Sequence, residues 1–314
     1  MTYGIGEASG KVILMGEHAV VYGAPAIAMP FFSVGVKCTV RAYEGPTYIQ
    51  SICYDGLLRT SPDDISGIKK LIEVTLEHLN QENQNLKIII ESMIPPQRGL
   101  GSSAAVSVAI VRGLYDAFEE KLTFEDLNHL VSIAESIHHS NPSGLDAATI
   151  LNEQMMVFEK GKGIRNIKST LEGFMVVGDS GVEGNTKEAV NEVQQKLKEN
   201  PKLIHKEIEN ISQLTLKAEK AIDNNQIHTL GYAMTQAHMA LRNMGVSNDL
   251  MDHYVSVALK KGAYGAKITG GGKGGCMIAI CDSIVDAQKI ANGLKREGIK
   301  ETWIYNMKEV YSHD

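Results

Sequence analysis

The chain has 314 residues, 43% hydrophobic and 22% charged, enough for one large or two medium packed domains. Its net charge of −6 excludes a molecule built as a whole to hold nucleic acid, so an anionic ligand would need a local positive patch. The four cysteines, Cys38, Cys53, Cys276 and Cys281, have no CxxC spacing and read as reduced thiols, neither a disulfide frame nor a zinc site.

In chain order, the opening MTYGIGEASGKVILMGEHAVV lacks the basic start and long apolar core of a signal peptide. No apolar run reaches the ~18 residues of a membrane span, so a cytoplasmic protein is expected. KVILM and AVVYG read as strands around a polar turn. SVGVKCTVRAY (33–43) alternates as a half-buried strand, and apolar residues over 65–83 fall on one helical face. LKIIIES (86–92) is a β-branched strand, ended by Pro95 and Pro96. SSAAVSVAIVRGLYDAF is a helix of small and apolar residues, and Thr123 with Asp126 reads as a capping box for a helix reaching about His139. HSNPSGLDAAT is a turn-rich connector and FMVVGDSG a strand. The chain is mainly helical from about 185 to 260, and AYGAKITGGGKGGCMIAICD is strand, glycine loop, strand. A helix near 285–296 and a strand at TWIYNM close it. Strands early and helices late predict a two-lobed α+β protein with a boundary near 181–185.

Three loops carry chemistry. RGLGSSAAV (98–106) precedes a helix. It reads as an anion-binding nest of N–H groups at the helix start, with Ser102 and Ser103 adding hydroxyls, or as a simple serine N-cap. Its letters also fit GxGxxA, but six residues separate the first glycine from the preceding strand, against a dinucleotide turn. TGGGKGGC (269–276) leads into a strand, not a helix, and contains no GK[ST]. It reads as a long hairpin turn or as a close approach of backbone to a ligand. Glu135 and Asp146 flank a Pro-Ser-Gly turn; they read as a Mg²⁺ ligand and a general base, or as a solvated charge and a helix cap. Adjacent His138 and His139 do not share a helix face and argue little for a metal. Lys11, flanked by Gly10 and a strand, is either solvated or a buried functional head.

Together SGKVILMGEHAVVYGAPAIA (9–28), GLGSSAA (99–105), HSNPSGLDAAT and KITGGGKGGC (267–276) resemble, in order, the motifs of the GHMP small-molecule kinases, within them the branch that acts on mevalonate. The resemblance implies an N-terminal lobe like domain 2 of ribosomal protein S5 and a ferredoxin-like α+β C-terminal lobe. It assigns 1–182 to an N-terminal domain with the phosphate loop and base, and 183–314 to a C-terminal domain with the glycine-rich loop. The implied activity is phosphorylation of mevalonate at its primary hydroxyl by ATP with Mg²⁺, in isoprenoid biosynthesis. Asp146 matches the catalytic base and Lys11 the lysine beside it. Gly99, Leu100, Gly101 and Ser102 match the triphosphate cradle, joined by Ser103. Ser103 and Glu135 match the Mg²⁺ ligands. Glu17 and His18 match residues near mevalonate, and Gly270 to Gly275, with Gly271 and Gly272 at the substrate, match the far wall of the site.

The chain departs from the family at several points. Arg98 stands where a small residue is common, Gly271 where alanine is common, and Lys273 interrupts the small residues of its loop. Arg98 and Lys273 read as positive charge near phosphates or as solvated side chains. Ser140 replaces a usual glycine, and Ala147 a usual asparagine. The nearest alternative is a sister kinase acting on phosphomevalonate or another small alcohol; His18 favours mevalonate, because phosphomevalonate kinases tend to carry tyrosine there. A dinucleotide-dependent oxidoreductase and a non-catalytic sensor are the other classes weighed. The expected partner is a small-molecule substrate, with no nucleic acid or membrane; the oligomeric state, a homodimer included, stays open.

Overall fold

The computed structural model describes residues 2–138 and 144–308. Contacts divide them into two compact units made of interleaved segments. The first takes residues up to 11, 31–95 and 101–153; the second takes 12–30, 96–100 and 154 onward. Two long strands, β1 (Tyr3–Met15) and β2 (Ala26–Ala42), pair with each other, and each contributes residues to both units.

The first unit adds β3 (Tyr48–Gln50), β4 (Asp55–Leu57) and β5 (Leu86–Ser92), in the order β4-β3-β5-β2. β5 runs antiparallel to β2, from Val36 opposite Ser92 to Ala42 opposite Leu86. The expected alternation is present: Val34, Val36, Cys38 and Val40 face the core. Helices α1 (Ser66–His78), α2 (Ser102–Ala117), α3 (Phe124–His138) and α4 (Leu145–Asn152) pack against one another. α2 is apolar around most of its circumference and correspondingly buried, from Ala104 and Ala105 to Leu114 and Tyr115. The α3 cap is as expected, with Thr123 Oγ1 accepting from Asp126 N at 3.1 Å and donating to Asp126 Oδ2 at 2.7 Å.

The second unit adds β6 (Met156–Glu159) and β7 (Gly163–Asn166) beside the start of β2. Its second sheet consists of β8 (Phe174–Asp179), β9 (Gly265–Thr269), β10 (Cys276–Cys281) and β11 (Glu301–Asn306), antiparallel throughout in the order β11-β8-β10-β9. Its helices are α5 (Thr186–Glu199), α6 (Pro201–Asp223), α7 (Ile227–Asn243), α8 (Asp249–Lys260) and α9 (Ile284–Arg296). Asn185, Asn200, Asn248 and Ser283 cap four of them through side-chain oxygens. The core of this unit joins Val176, Ile268, Met277 and Ala279 of the sheet to Met251, Val255, Ile290 and Leu294 of the helices.

Two local expectations are corrected. AVVYG is not a strand: Ala19–Tyr22 form a 3-10 turn, entered through Gly16 and His18 at positive φ, with Ala19 N bonded to Glu17 O at 2.7 Å. Part of the expected connector HSNPSGLDAAT is helical, because α4 begins at Leu145. The earlier part of that motif, with the readings on His139 and Ser140, lies outside the described residues. All four cysteines are free, and Cys38, Cys276 and Cys281 are buried. Among the described residues no helix is long and apolar enough to cross a membrane.

Candidate functional site

In the first unit, β1 carries Lys11 into the core, with only 1% of its side chain exposed. Its Nζ lies 2.6 Å from Asp146 Oδ1 in the first turn of α4. Asp146 keeps 44% of its side chain in solvent, so the pair joins a buried ammonium to an accessible carboxylate. Gly101, at φ 76°, packs over the lysine stem. A Cβ there would lie 2.8 Å from Lys11 Cγ and 3.1 Å from Ile150 Cδ1, so glycine alone lets α2 begin against Lys11.

Glu135, in the last turn of α3, is half-buried. Burial pushes its carboxyl up to about 7; the charge of Asp146 pushes the same way and Lys11 opposes. No side chain caps the start of α2. Its first N–H groups, half-buried Ser102 and exposed Ser103 therefore form a helix start suited to an anion. Among the described residues no three His, Cys, Asp or Glu side chains gather as a metal cage. A single carboxylate such as Glu135 is within what Mg²⁺ needs from a protein, since it commonly takes one or two carboxylates and completes its shell with phosphate oxygens and water.

In the second unit, the two glycine loops meet at Gly99 and Gly270, and His18, next to Glu17, meets Gly271. Gly99 and Gly270 meet backbone to backbone: a Cβ on Gly270 would lie 2.6 Å from Gly99 Cα. Leu100 is buried, and Gly272 packs against Val246. His18 Nε2 lies 3.0 Å from Gly271 O; a carbonyl only accepts, so Nε2 carries the proton. Burial lowers the His18 pKa to about 4, the Gly271 carbonyl opposing and the Lys267 charge adding to the shift. His18 is thus an uncharged imidazole at neutral pH.

Arg98 is neither solvated nor directed at a phosphate. It is buried, with Nε 3.0 Å from Asp179 Oδ1, one terminal nitrogen donating to Gly181 O at 3.0 Å and the other to Pro96 O at 3.3 Å. Its own carbonyl accepts from Cys276 N at 3.2 Å, tying the loop after β5 to the loop before β10. Lys273 pairs with Glu188 at 3.2 Å and with Glu192, beside a cavity of about 620 Å³ also lined by Gln97, Asn185 and Asn248. Its charge is met by carboxylates of α5.

Lys267, Thr269 and Asp179 were not singled out in the sequence. All three are almost wholly buried. For Lys267 and Thr269 the signal was their place inside the otherwise apolar GAKIT strand, where a charged head requires a partner.

A helix start with open N–H groups thus stands beside a buried lysine paired with an accessible aspartate, and a second carboxyl, Glu135, lies within electrostatic reach of both. The family described as GHMP kinases N terminal domain matches residues 66–153, and that described as GHMP kinases C terminal matches 218–300. The chain is 32% identical to the mevalonate kinase of Pyrococcus furiosus, over 94% of this chain and 97% of that relative. Among solved structures, mevalonate kinase from methicillin-resistant Staphylococcus aureus is 34% identical with a TM-score of 0.77, covering 98% of this chain and 100% of that one. L. major mevalonate kinase, solved in complex with R-mevalonate, is 27% identical with a TM-score of 0.82, covering 97% and 95%. The chain belongs to the GHMP kinases, a family of ATP-dependent kinases, and has their α+β fold.

Proposed function

We propose that this protein transfers the γ-phosphoryl group of ATP to the primary hydroxyl of (R)-mevalonate, giving 5-phosphomevalonate and ADP in the mevalonate pathway. The observation that carries the reading is the Lys11–Asp146 pair at 2.6 Å, a positioned carboxylate held by a buried cation. The relatives at about 30% identity over nearly the whole chain supply the substrate. The matched stretches at 66–153 and 218–300 fall one in each of two proposed domains, 1–182 and 183–314.

Asp146 accepts the hydroxyl proton as the alcohol oxygen bonds to phosphorus and the bond from phosphorus to the bridging oxygen of ADP breaks. Lys11 holds the carboxylate in place and offsets negative charge at the reacting oxygens. Gly99 to Ser102 present backbone N–H groups to the phosphates. Ser103 and Glu135 would hold Mg²⁺, which would supply positive charge to the phosphates when bound. The raised carboxyl of Glu135 supports that role, because a nearby cation relieves both its burial and its repulsion from Asp146. Glu17 and uncharged His18, with Gly271 and Gly272, contact mevalonate. Reactants that are small and polar suit a cytoplasmic setting.

The test is ADP release from ATP and Mg²⁺ with mevalonate, phosphomevalonate, galactose and homoserine offered separately. Turnover confined to mevalonate is expected. Turnover of phosphomevalonate in its place would overturn the substrate assignment.

A further inference from the structure

The segment from Ile13 to His18 is gripped by every second residue from Lys267 to Gly271. Thr269 Oγ1 accepts from Ile13 N at 3.1 Å and donates to Ile13 O at 2.9 Å. Gly271 O receives His18 Nε2–H at 3.0 Å. Between them Lys267, fully buried in β9, donates through Nζ to Glu17 Oε1 and to Ile268 O, the latter at 2.7 Å. The Thr269 and Gly271 contacts are neutral hydrogen bonds, three in all, and the Lys267–Glu17 contact is a buried ion pair.

A buried ion pair is a poor device for stability, because desolvation consumes most of the attraction; its best-attested use is to fix one arrangement. The arrangement here is the turn at Gly16–His18, where His18 sits at φ 59°, a conformation unfavourable to a residue with a side chain. The charge of Lys267 also opposes protonation of His18, and of His238 on α7, whose Nε2 lies 3.1 Å from Asp252 Oδ1. Arg242 completes that cluster, with Nε 2.6 Å from Asp252 Oδ2.

We propose that Lys267 is a positioning residue for substrate recognition: through its ion pair with Glu17 it fixes the Glu17–His18 turn that meets the alcohol substrate, without itself touching ATP or the reacting atoms. This rests on reading Glu17 and His18 as mevalonate contacts. It separates Lys267 from Thr269, whose hydrogen bonds hold the backbone at Ile13 and carry no charge.

The experiment compares wild type with Lys267→Met, the charge-neutral double variant Lys267→Met/Glu17→Gln, and Thr269→Val. Steady-state kinetics are run in each substrate, with the His18 imidazole titration followed by NMR. In Lys267→Met the KM for mevalonate should rise about tenfold or more while the KM for ATP stays within about twofold, the pattern of lost substrate positioning. The His18 titration should move upward, because the opposing charge is gone. The double variant, which leaves no uncompensated buried charge, should fold if the single one does not; because Glu17 is itself read as a substrate contact, the His18 midpoint is its readout and should again move upward. Thr269→Val should lower stability with both KM values within about twofold of wild type. A mevalonate KM within twofold of wild type in a folded Lys267 variant, or parallel rises in both KM values, overturns the proposal. Should the wild type fail to turn over mevalonate, the substrate reading falls; the His18 titration then decides the Lys267 role, an unmoved midpoint sinking it.

Discussion

Arg98 is where this chain departs from its family and where burial decides the outcome. Its guanidinium lies on Asp179, itself 1% exposed, and on two carbonyls. Removing it leaves a carboxylate buried without its cation, a loss of about 3–5 kcal/mol. Arg98→Met should therefore lower stability by about that amount in urea unfolding, and Arg98→Met/Asp179→Leu should recover most of it. Equal stability of the two variants would mean that the pair carries little. Glu135 makes the second prediction at this scale. Its carboxyl holds a proton up to about pH 7 without a cation, so Mg²⁺ must displace that proton. The Mg²⁺ needed for half-maximal activity should rise as pH falls below about 7, and Glu135→Gln should raise the requirement and remove its pH dependence. A wild-type Mg²⁺ curve in that variant would remove Glu135 from the metal site. The residue types of the site were legible in four short motifs. The fate of Arg98 and Lys273 was not, because their partners Asp179, Glu188 and Glu192 lie 81 to 85 positions away along the chain and no local pattern marks them.

Elements were legible where periodicity or a cap speaks locally. β5 spans Leu86–Ser92 as expected from its β-branched run, and Thr123 opens α3 as its spacing with Asp126 required. AVVYG failed because its apolar letters suit a strand, while positive φ at Gly16 and His18 turns the chain into a 3-10 coil. The short strands β3, β4, β6 and β7 left no signal, since three or four residues cannot show a period. At the start of α2, φ of 76° and the approach to Lys11 leave no room for a methyl group at Gly101. Gly101→Ala should cost about 1–2 kcal/mol from the backbone conformation alone. It should also cut kcat, because the Lys11 stem must shift; thermal unfolding and steady-state rates check both. Unchanged kcat with lowered stability would separate the loop from the Lys11–Asp146 pair.

At the scale of the whole molecule, the interleaving of the two units escaped the sequence. β1 and β2 are single uninterrupted strands of 13 and 17 residues, and nothing in their pattern marks where one unit yields to the other. The α+β class was legible, because strands dominate early and helices occupy 186 to 260. Global stability should depend on pH through buried groups. His18 and His238 titrate near 4 in the fold against 6.5 when free, so the unfolded chain takes up protons first as pH falls. Their contribution is complete above about pH 6.5 and is lost on the way down through about pH 4. Glu135 acts oppositely: raised from 4.5 to about 7, it contributes below pH 4.5 and is lost as pH rises through about 7. Urea unfolding should show His18→Gln losing less stability than wild type between about pH 7.5 and about pH 5. Identical losses would contradict the buried, uncharged state of His18.

The most direct measurement is ³¹P NMR of the products from ATP, Mg²⁺ and mevalonate, with wild type beside Asp146→Asn. The wild type should yield ADP and 5-phosphomevalonate in equal amounts, and the folded variant should be slower by ~10²–10⁴-fold. ADP with inorganic phosphate alone, or phosphomevalonate formed by the variant at the wild-type rate, would contradict the account.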